Sequence, residues 1–468
     1  MVGGAALIAR APGRRAAVAV GGRLPRLPGG EGGESEENKR RFHGRFTFYP
    51  RGRAGYSLDS VRMAHRRYFF QTLAAGAAAA RYAFPANDTV RVGCIGAGGR
   101  AQVLMRTFES LKGAQLAAVC DVWDQNLQRA RQIAGPAAFA AKDYRALLDR
   151  KDLDAVLIGA PDHQHAPLTV AACEAGKDVY VEKPLTHDLT EGAAVLEAQK
   201  RTGRVVQVGL QQRSMPHMQK AFEIVRSGQL GKIHKAHLTW NRNHDRWEKP
   251  PATVDPASVD WKAWLGAARQ QPFDEYRFRQ WRWFWDFGGG IFTDLMVHHI
   301  DIVQWMLDLG DPASATSIGD HFATKGLWET PDTVQTLIRY PERELQVYFE
   351  GTFVNARNAE MIELMGTDGT LYLDRGRYEL HPEPKRATYN APARAPKFPY
   401  SEWILGAGPK GADFYENPNG ELLHLTNWME CIRSRKTPAA PVEAGVRSAA
   451  AAHLANRALR GGEVARWA

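Results

Sequence analysis

Cysteine is scarce in this chain: Cys94, Cys120, Cys173 and Cys431 are the four in 468 residues. None stands at a metal-ligand spacing, and so few thiols exclude a disulfide scaffold. No metal is expected. Long apolar runs are also missing, since no stretch beyond the N-terminal region approaches the ~20 residues that span a bilayer. No membrane partner is therefore expected. Surplus charge is missing from the body of the chain, although the formal net charge is +10. Residues 1–62 hold twelve Lys/Arg against five Asp/Glu, and residues 63–86 add Arg66, Arg67 and Arg81. Residues 87–468 are left with 46 of each sign, so the body has no global electrostatic case for nucleic acid. A hydrophobic share of 44% and a charged share of 24% suit two or three globular domains.

The N-terminal surplus has its own reading. Residues 1–62 are rich in Arg, Gly and Pro, carry the acidic patch "EGGESEEN" and show no sustained apolar period. They read either as a disordered extension or as sequence ahead of the true start. If translation begins at Met63, residues 63–86, "MAHRRYFFQTLAAGAAAARYAFPA", form a targeting sequence. The pair Arg66-Arg67, the aromatic Phe69 and the small apolar run from Leu73 to Ala80 resemble a twin-arginine export signal, with cleavage after Ala80 or near Ala86. Phe70 and Gln71 only approximate the usual residues. The expectation is periplasmic export; the alternative is an arginine pair beside an Ala-rich helix in a cytoplasmic protein.

The stretch "TVRVGCIGAGGRA" reads as a strand from Val90 to Ile95, a turn at Gly96-Ala97-Gly98 and a helix beginning near Gly99. Gly96, Gly98 and Ala101 occupy the fixed positions of the G-x-G-x-x-A dinucleotide fingerprint. Gly96 permits the tight turn, Gly98 lets the backbone approach a pyrophosphate, and Ala101 lets helix and strand pack closely. The N–H groups of Gly99 and Arg100 then open a helix whose dipole suits phosphate. A second strand, "AQLAAVCD", ends in Asp121, 25 residues after Gly96. An acid there grips ribose hydroxyls and repels a 2′-phosphate, and Val122 and Trp123 offer no arginine to offset it. NAD is expected rather than NADP. Glycines between strand and helix also make plain turns, and Asp121 also reads as a surface residue closing a strand.

Strand and helix continue to alternate to about residue 213, with strands at 154–160, 178–184 and 205–210. Nearly continuous apolar strands between helices predict a parallel, doubly wound Rossmann sheet over residues 87–213, with ligands at the strand C-terminal ends. Pro161-Asp162-His163-Gln164-His165 follows one such end and Glu182-Lys183-Pro184 the next. From 214 to 468 the texture changes to strand-like runs at 232–243, 331–340, 343–354, 360–366 and 369–374. A long helix is expected over about 292–309, and helices near 421–434 and 443–460. This predicts a C-terminal α+β domain built on a large, mostly antiparallel sheet, for substrate binding and oligomerisation.

Three motifs in order, "GCIGAGGRA", "EKP" and "GGGIFTDLMVHHIDIVQW", resemble the Gfo/Idh/MocA (glucose-fructose oxidoreductase / inositol dehydrogenase / rhizopine-catabolism) oxidoreductases over residues 89–460. The last motif fits the family pattern D-x-x-x-H-x-x-D through Asp294, His298 and Asp301. On a helix Asp294 and His298 stand at i and i+4 and point the same way. The family's usual glycine two residues after the Asp is Met296 here. The resemblance implies hydride transfer between a secondary alcohol and nicotinamide, with Lys183 binding the oxygen and His298 accepting the proton. Asp294 holds the neighbouring hydroxyl or orients the histidine. It also implies a cofactor cradle of Gly96, Gly98, Gly99, Arg100, Ala101, Asp121, Pro161, His165, Glu182 and Lys183.

The segment "WRWFWDF" places Trp281, Trp283 and Trp285 at period two, with Trp261 and Trp264 upstream. It reads as a core strand or as a platform for a sugar ring, so a carbohydrate or cyclitol substrate is expected. Export would leave no soluble NAD pool, which favours a retained cofactor and a redox-neutral cycle. The readings are thus a sugar oxidoreductase, an NAD-dependent glycosidase working by transient oxidation and elimination, and a non-catalytic sugar sensor. An exposed sheet face predicts a homo-oligomer.

Overall fold

The computed structural model describes residues 89–243, 253–405 and 419–467. The readings of residues 1–62 as an extension and 63–86 as a signal lie outside the described residues.

The first domain runs β1 (Val90–Ile95), α1 (Gly99–Thr107), β2 (Ala114–Cys120), α2 (Asp124–Ala134), β3 (Phe139–Ala141) and α3 (Tyr144–Leu148). It continues with β4 (Ala155–Ile158), α4 (Asp162–Glu174), β5 (Asp178–Val181), α5 (Glu191–Thr202) and β6 (Val206–Val208). The six strands pair in parallel in the order β3-β2-β1-β4-β5-β6. Helices cover both faces, so every residue of β4, β5 and β6 is buried, which is why these strands are continuous apolar runs. The order reverses between β1 and β4, and the crevice beyond their C-terminal ends is where such a sheet receives ligands. Cys94 and Cys120 are buried and free on the adjacent strands β1 and β2.

The glycine turn has the geometry its sequence requires. Gly96 has φ +75°, and a Cβ there would lie 2.5 Å from the Ala160 nitrogen. Gly98 faces open space, with nothing within 4 Å of an added Cβ. Ala101 is fully buried against Gly159.

After α6 (Pro216–Arg226), the second domain lays down β7 (Ile233–Asn241), α7 (Trp261–Leu265), α8 (Glu275–Arg279) and α9 (Val297–Leu307). Then come β8 (Ser314–Asp320), β9 (Thr333–Tyr340), β10 (Leu345–Thr352), β11 (Glu360–Gly366), β12 (Gly369–Leu373), β13 (Arg377–Pro382) and β14 (Ser401–Ile404). The chain ends in α10 (Gly420–Ser434), α11 (Val442–Gly461) and β15 (Ala465–Arg466). The nine strands are ordered β14-β13-β12-β11-β7-β10-β9-β8-β15, antiparallel except for the parallel pair β7 and β10. Alternate residues such as Val334, Ile338, Val347 and Phe349 pack against Phe292, Ile300 and Val303. The opposite face is open to solvent and carries Ile318 and Leu337 among its exposed residues.

Three expectations need correction. The "WRWFWDF" segment is no strand: Trp281–Trp283 form a 3-10 turn, because the approach to Gly288-Gly289-Gly290 bends the chain back on itself. The long helix expected over 292–309 opens as a π-turn, Phe292–Met296, before α9 begins. The cut after residue 213 is also not clean. Helix α10 returns to the first domain, where Leu425, Trp428, Met429 and Ile432 share a core with Val90, Leu104 and Tyr180.

Two outcomes follow from this packing. Gly96→Ala lowers the thermal unfolding midpoint, since the strained φ and the Ala160 backbone both oppose a Cβ, whereas Gly98→Ala leaves it within a degree or two. The buried histidines make the fold acid-labile. Burial lowers His163, His424 and His453 to about 4 and His299 to about 3. Their folded values lie below the unfolded value of ~6.5, so their stabilisation is complete above that pH and is lost as pH falls toward 4. Each withdraws up to ~1.4 kcal/mol per pH unit across that window. Circular-dichroism melts from pH 7.5 to 4.5 should show the midpoint falling steeply below pH 6.5.

Candidate active site

A cavity of about 400 Å³ opens beyond the C-terminal ends of β4, β5 and β6. Gly159 and Ala160 line it after β4, Glu182 and Lys183 after β5, and Gln211 and Gln212 after β6. The second domain closes it with Trp281, Arg282, Asp294 and His298.

Lys183 occupies the seam between the domains. Its peptide bond to Pro184 is cis, and its Nζ donates to the Asp294 backbone oxygen at 2.7 Å and to Asp294 Oδ1 at 2.9 Å. Arg282 Nε donates to the same Oδ1 at 3.1 Å while its guanidinium stacks 4.2 Å from the Trp281 ring centroid. The side chains of Lys183 and Asp294 are 13% and 11% exposed, so each charge depends on the other for compensation. Two cations against one carboxylate leave the cluster net positive, which suits an oxygen that gains negative charge. Asp162 also lines the cavity, and burial pushes its carboxyl well above the usual range.

His298 stands one turn beyond Asp294. Although the π-turn departs from the expected i,i+4 helix, both side chains line the cavity; π-turns recur where a helix must aim side chains at a site. Burial, reinforced by the Lys183 charge, holds His298 well below the ordinary histidine value. Its neutral ring is a proton acceptor at neutral pH. Asp301 faces elsewhere: it is buried and receives two hydrogen bonds from Arg213, at 2.7 and 2.8 Å, tying α9 to the loop after β6.

The side chains of three residues expected in the cofactor cradle are bonded within the protein. Arg100 bonds Glu182 at 2.8 Å and both oxygens of Glu421 at 2.6 and 2.7 Å. Although burial opposes it, the Arg100 charge holds Glu182 below the usual carboxylate range. The two ring nitrogens of His165 each lie 2.7 Å from a backbone oxygen, of Pro184 and of Ala160. His165 therefore braces the loops after β4 and β5, leaving neither nitrogen for a ligand. Glu421 and Gln211 have no sequence signal of their own, because they reach the site through α10 and the loop after β6.

The remaining cradle residues fit a dinucleotide. Gly98 and Gly99 leave open space before the N-terminus of α1. Asp121 closes β2 with its carboxylate accepting from Ala97 N at 2.7 Å and Trp123 N at 2.8 Å. Burial, opposed by these N–H groups, raises it to about 6. It straps the glycine turn in place. Pro161 stands at the N-cap of α4, beside the same turn. Among the expected sugar-platform residues, Trp261 and Trp264 stack on each other at 4.6 Å within the core. Trp283 is buried against Trp328, and Trp281 presents the more open ring.

Residues 90–210 match the oxidoreductase family with an NAD-binding Rossmann fold, and residues 262–372 match the GFO/IDH/MocA C-terminal domain. The chain is 26% identical over 344 residues to scyllo-inositol 2-dehydrogenase (NAD(+)) of Bacillus subtilis (strain 168), covering 70% of this chain and 82% of that protein. It is 36% identical over 126 residues to a glycosyl hydrolase family 109 protein of Shewanella baltica (strain OS155 / ATCC BAA-1091), covering 25% of this chain and 28% of that one. It spans about half, 53%, of a further Bacillus subtilis oxidoreductase. The structure of levoglucosan dehydrogenase in complex with NADH and levoglucosan shares the fold, with a TM-score of 0.62 at 17% identity over 81% of this chain and 99% of that one. Two family domains in their expected order, on the sheet topology found here, place this chain in the Gfo/Idh/MocA oxidoreductase family, with residues 90–210 as its NAD-binding Rossmann domain.

Proposed function

We propose that the chain oxidises a secondary alcohol of a sugar or cyclitol, with Lys183, His298 and Asp294 as its working groups. The carrying observation is the paired lysine. Two of the three Lys183 N–H donors are taken by Asp294, and the third serves the substrate oxygen. Bound NAD supplies the hydride acceptor. His298, neutral through burial, takes the hydroxyl proton, and Lys183 stabilises the oxygen as that proton leaves. Asp294 orients the lysine, its Oδ1 accepting from both Lys183 and Arg282.

The similarity to inositol, levoglucosan and family 109 proteins supports a polyhydroxylated ring as the substrate. The family 109 stretch favours a second reading, glycosidic cleavage through transient oxidation. Retention of Lys183, His298 and Asp294 in one cavity speaks against a sensor. The twin-arginine-like segment at 63–86 supports export with NAD held tightly. The exposed Ile318 and Leu337 on the open sheet face support association of copies through that face.

Lys183→Ala should lower kcat by about 10²–10⁴ while NADH binding, read by fluorescence titration, persists; unchanged turnover on sugars or inositols would sink the assignment. Denaturing the purified protein and measuring nicotinamide in the supernatant tests retention. Stoichiometric NAD supports a redox-neutral enzyme, and cleavage of p-nitrophenyl glycosides would then select the glycosidase reading. Protein free of nicotinamide marks an ordinary dehydrogenase.

A further inference from the structure

The sheet-side wall of the cavity carries cationic chemistry that oxidation of a neutral sugar does not use. Trp240 is the penultimate residue of β7, and its ring centroid lies 5.5 Å from that of His298. Arg242 follows, with its guanidinium carbon 5.2 Å from the Trp240 centroid. Glu360 pairs directly opposite Trp240 on β11, and Arg375 comes from the turn between β12 and β13. All but Glu360 line the cavity.

The electrostatic sum on this wall is incomplete. Arg375 Nη1 bonds Glu360 Oε1 at 3.0 Å, while Glu360 Oε2 is buried without a hydrogen bond. Arg242 reaches Glu360 only at 3.8 Å, and among the described residues its guanidinium makes no hydrogen bond. Its side chain is 28% exposed, which keeps it accessible from the cavity. Beside it the Trp240 Nε1–H is buried without an acceptor. Among the described residues, the Arg242 guanidinium and the Trp240 indole N–H thus offer the cavity donors that no hydrogen bond takes up. The complement is an anion that offers two acceptors in one plane, as a carboxylate does to a guanidinium fork. Gln212 Oε1, also buried without a partner on the same cavity, adds the acceptor that a ring hydroxyl needs.

We propose that the substrate is an acidic sugar, a monosaccharide whose carboxylate docks on Arg242 beside Trp240 while its reacting hydroxyl lies at Lys183 and His298. This rests on the oxidoreductase reading and names its substrate class. Arg242 is then a specificity-determining residue, and Glu360 an internal competitor that holds the arginines in place and weakens an incoming anion.

The test uses the full chain loaded with NADH. Isothermal titration compares glucuronate, galacturonate and mannuronate with glucose, galactose and mannose, and with the corresponding hexose 6-phosphates. At least one uronate should bind ten- to a hundredfold more tightly than its neutral parent, the range of a charge-assisted hydrogen-bond pair. Arg242→Gln should erase that preference, and Arg242→Lys should restore part of it. Glu360→Gln should tighten uronate binding; an unchanged or weaker affinity would count against the proposal even where Arg242→Gln does not fold. Uronates binding no better than their parents would overturn it while the oxidoreductase reading stands. Tighter binding of a hexose phosphate would overturn it in favour of a phosphate ester. Failure of NADH itself to bind would fall on the oxidoreductase reading, a separate readout.

Discussion

A cation that is to polarise a substrate oxygen in a water-poor cavity must be paired by the protein, and the pairing of Lys183 with Asp294 is the constraint around which the rest of the molecule is arranged. The lysine comes from the Rossmann sheet and the aspartate from the first turn of the second domain's long helix. Removing either partner of such a buried pair costs about 3–5 kcal/mol, because the other is left uncompensated. The seam is reinforced in the same way elsewhere. Arg213 bonds Asp301, Arg100 bonds Glu421, and Arg435 bonds Asp178. Each joins a Rossmann-domain residue to a later segment, so the cleft is held by charge pairs as well as by apolar contact.

The same low dielectric divides the labour among the titratable groups. Burial discourages charge on Asp162 and on His298, while Lys183 and Arg282 flank the one cavity carboxylate that both contact. A neutral base thus faces a net positive oxygen site, the combination that oxidation of an alcohol requires. The network of Arg100, Glu182 and Glu421 lines the same cavity. Arg100 and Glu182 looked like ligand groups in the sequence, yet their side chains are spent on each other and on Glu421, fixing the loop that presents Lys183. His165 does similar work by bracing two backbone carbonyls.

Much of the first domain was legible because its signals are local. Strands buried on both faces must be apolar throughout, so β1, β4 and β5 stood out. The glycine turn stood out because Gly96 adopts a backbone that side chains resist. The second domain was read less completely. The strands β8, β13, β14 and β15 lie at or near the sheet edges, where one-sided burial and short length weaken the pattern. The tryptophan-rich segment misled for a related reason: alternation of large rings suits a strand, but the three glycines that follow turn the chain.

The sequence by itself determined the strand-turn-helix of the dinucleotide fingerprint and the order of the two domains, which depend on turn chemistry and periodicity acting over a few residues. Lys183, Asp294 and His298 were singled out by the motifs' resemblance to the family. Tertiary structure alone decided which charges meet. Lys183 and Asp294 are 111 positions apart, and Arg100 and Glu421 are 321 apart. Only the sheet topology and the return of α10 bring such partners within hydrogen-bond distance. It decided likewise that Arg242 would reach the cavity 3.8 Å from Glu360, an acid supplied by another strand.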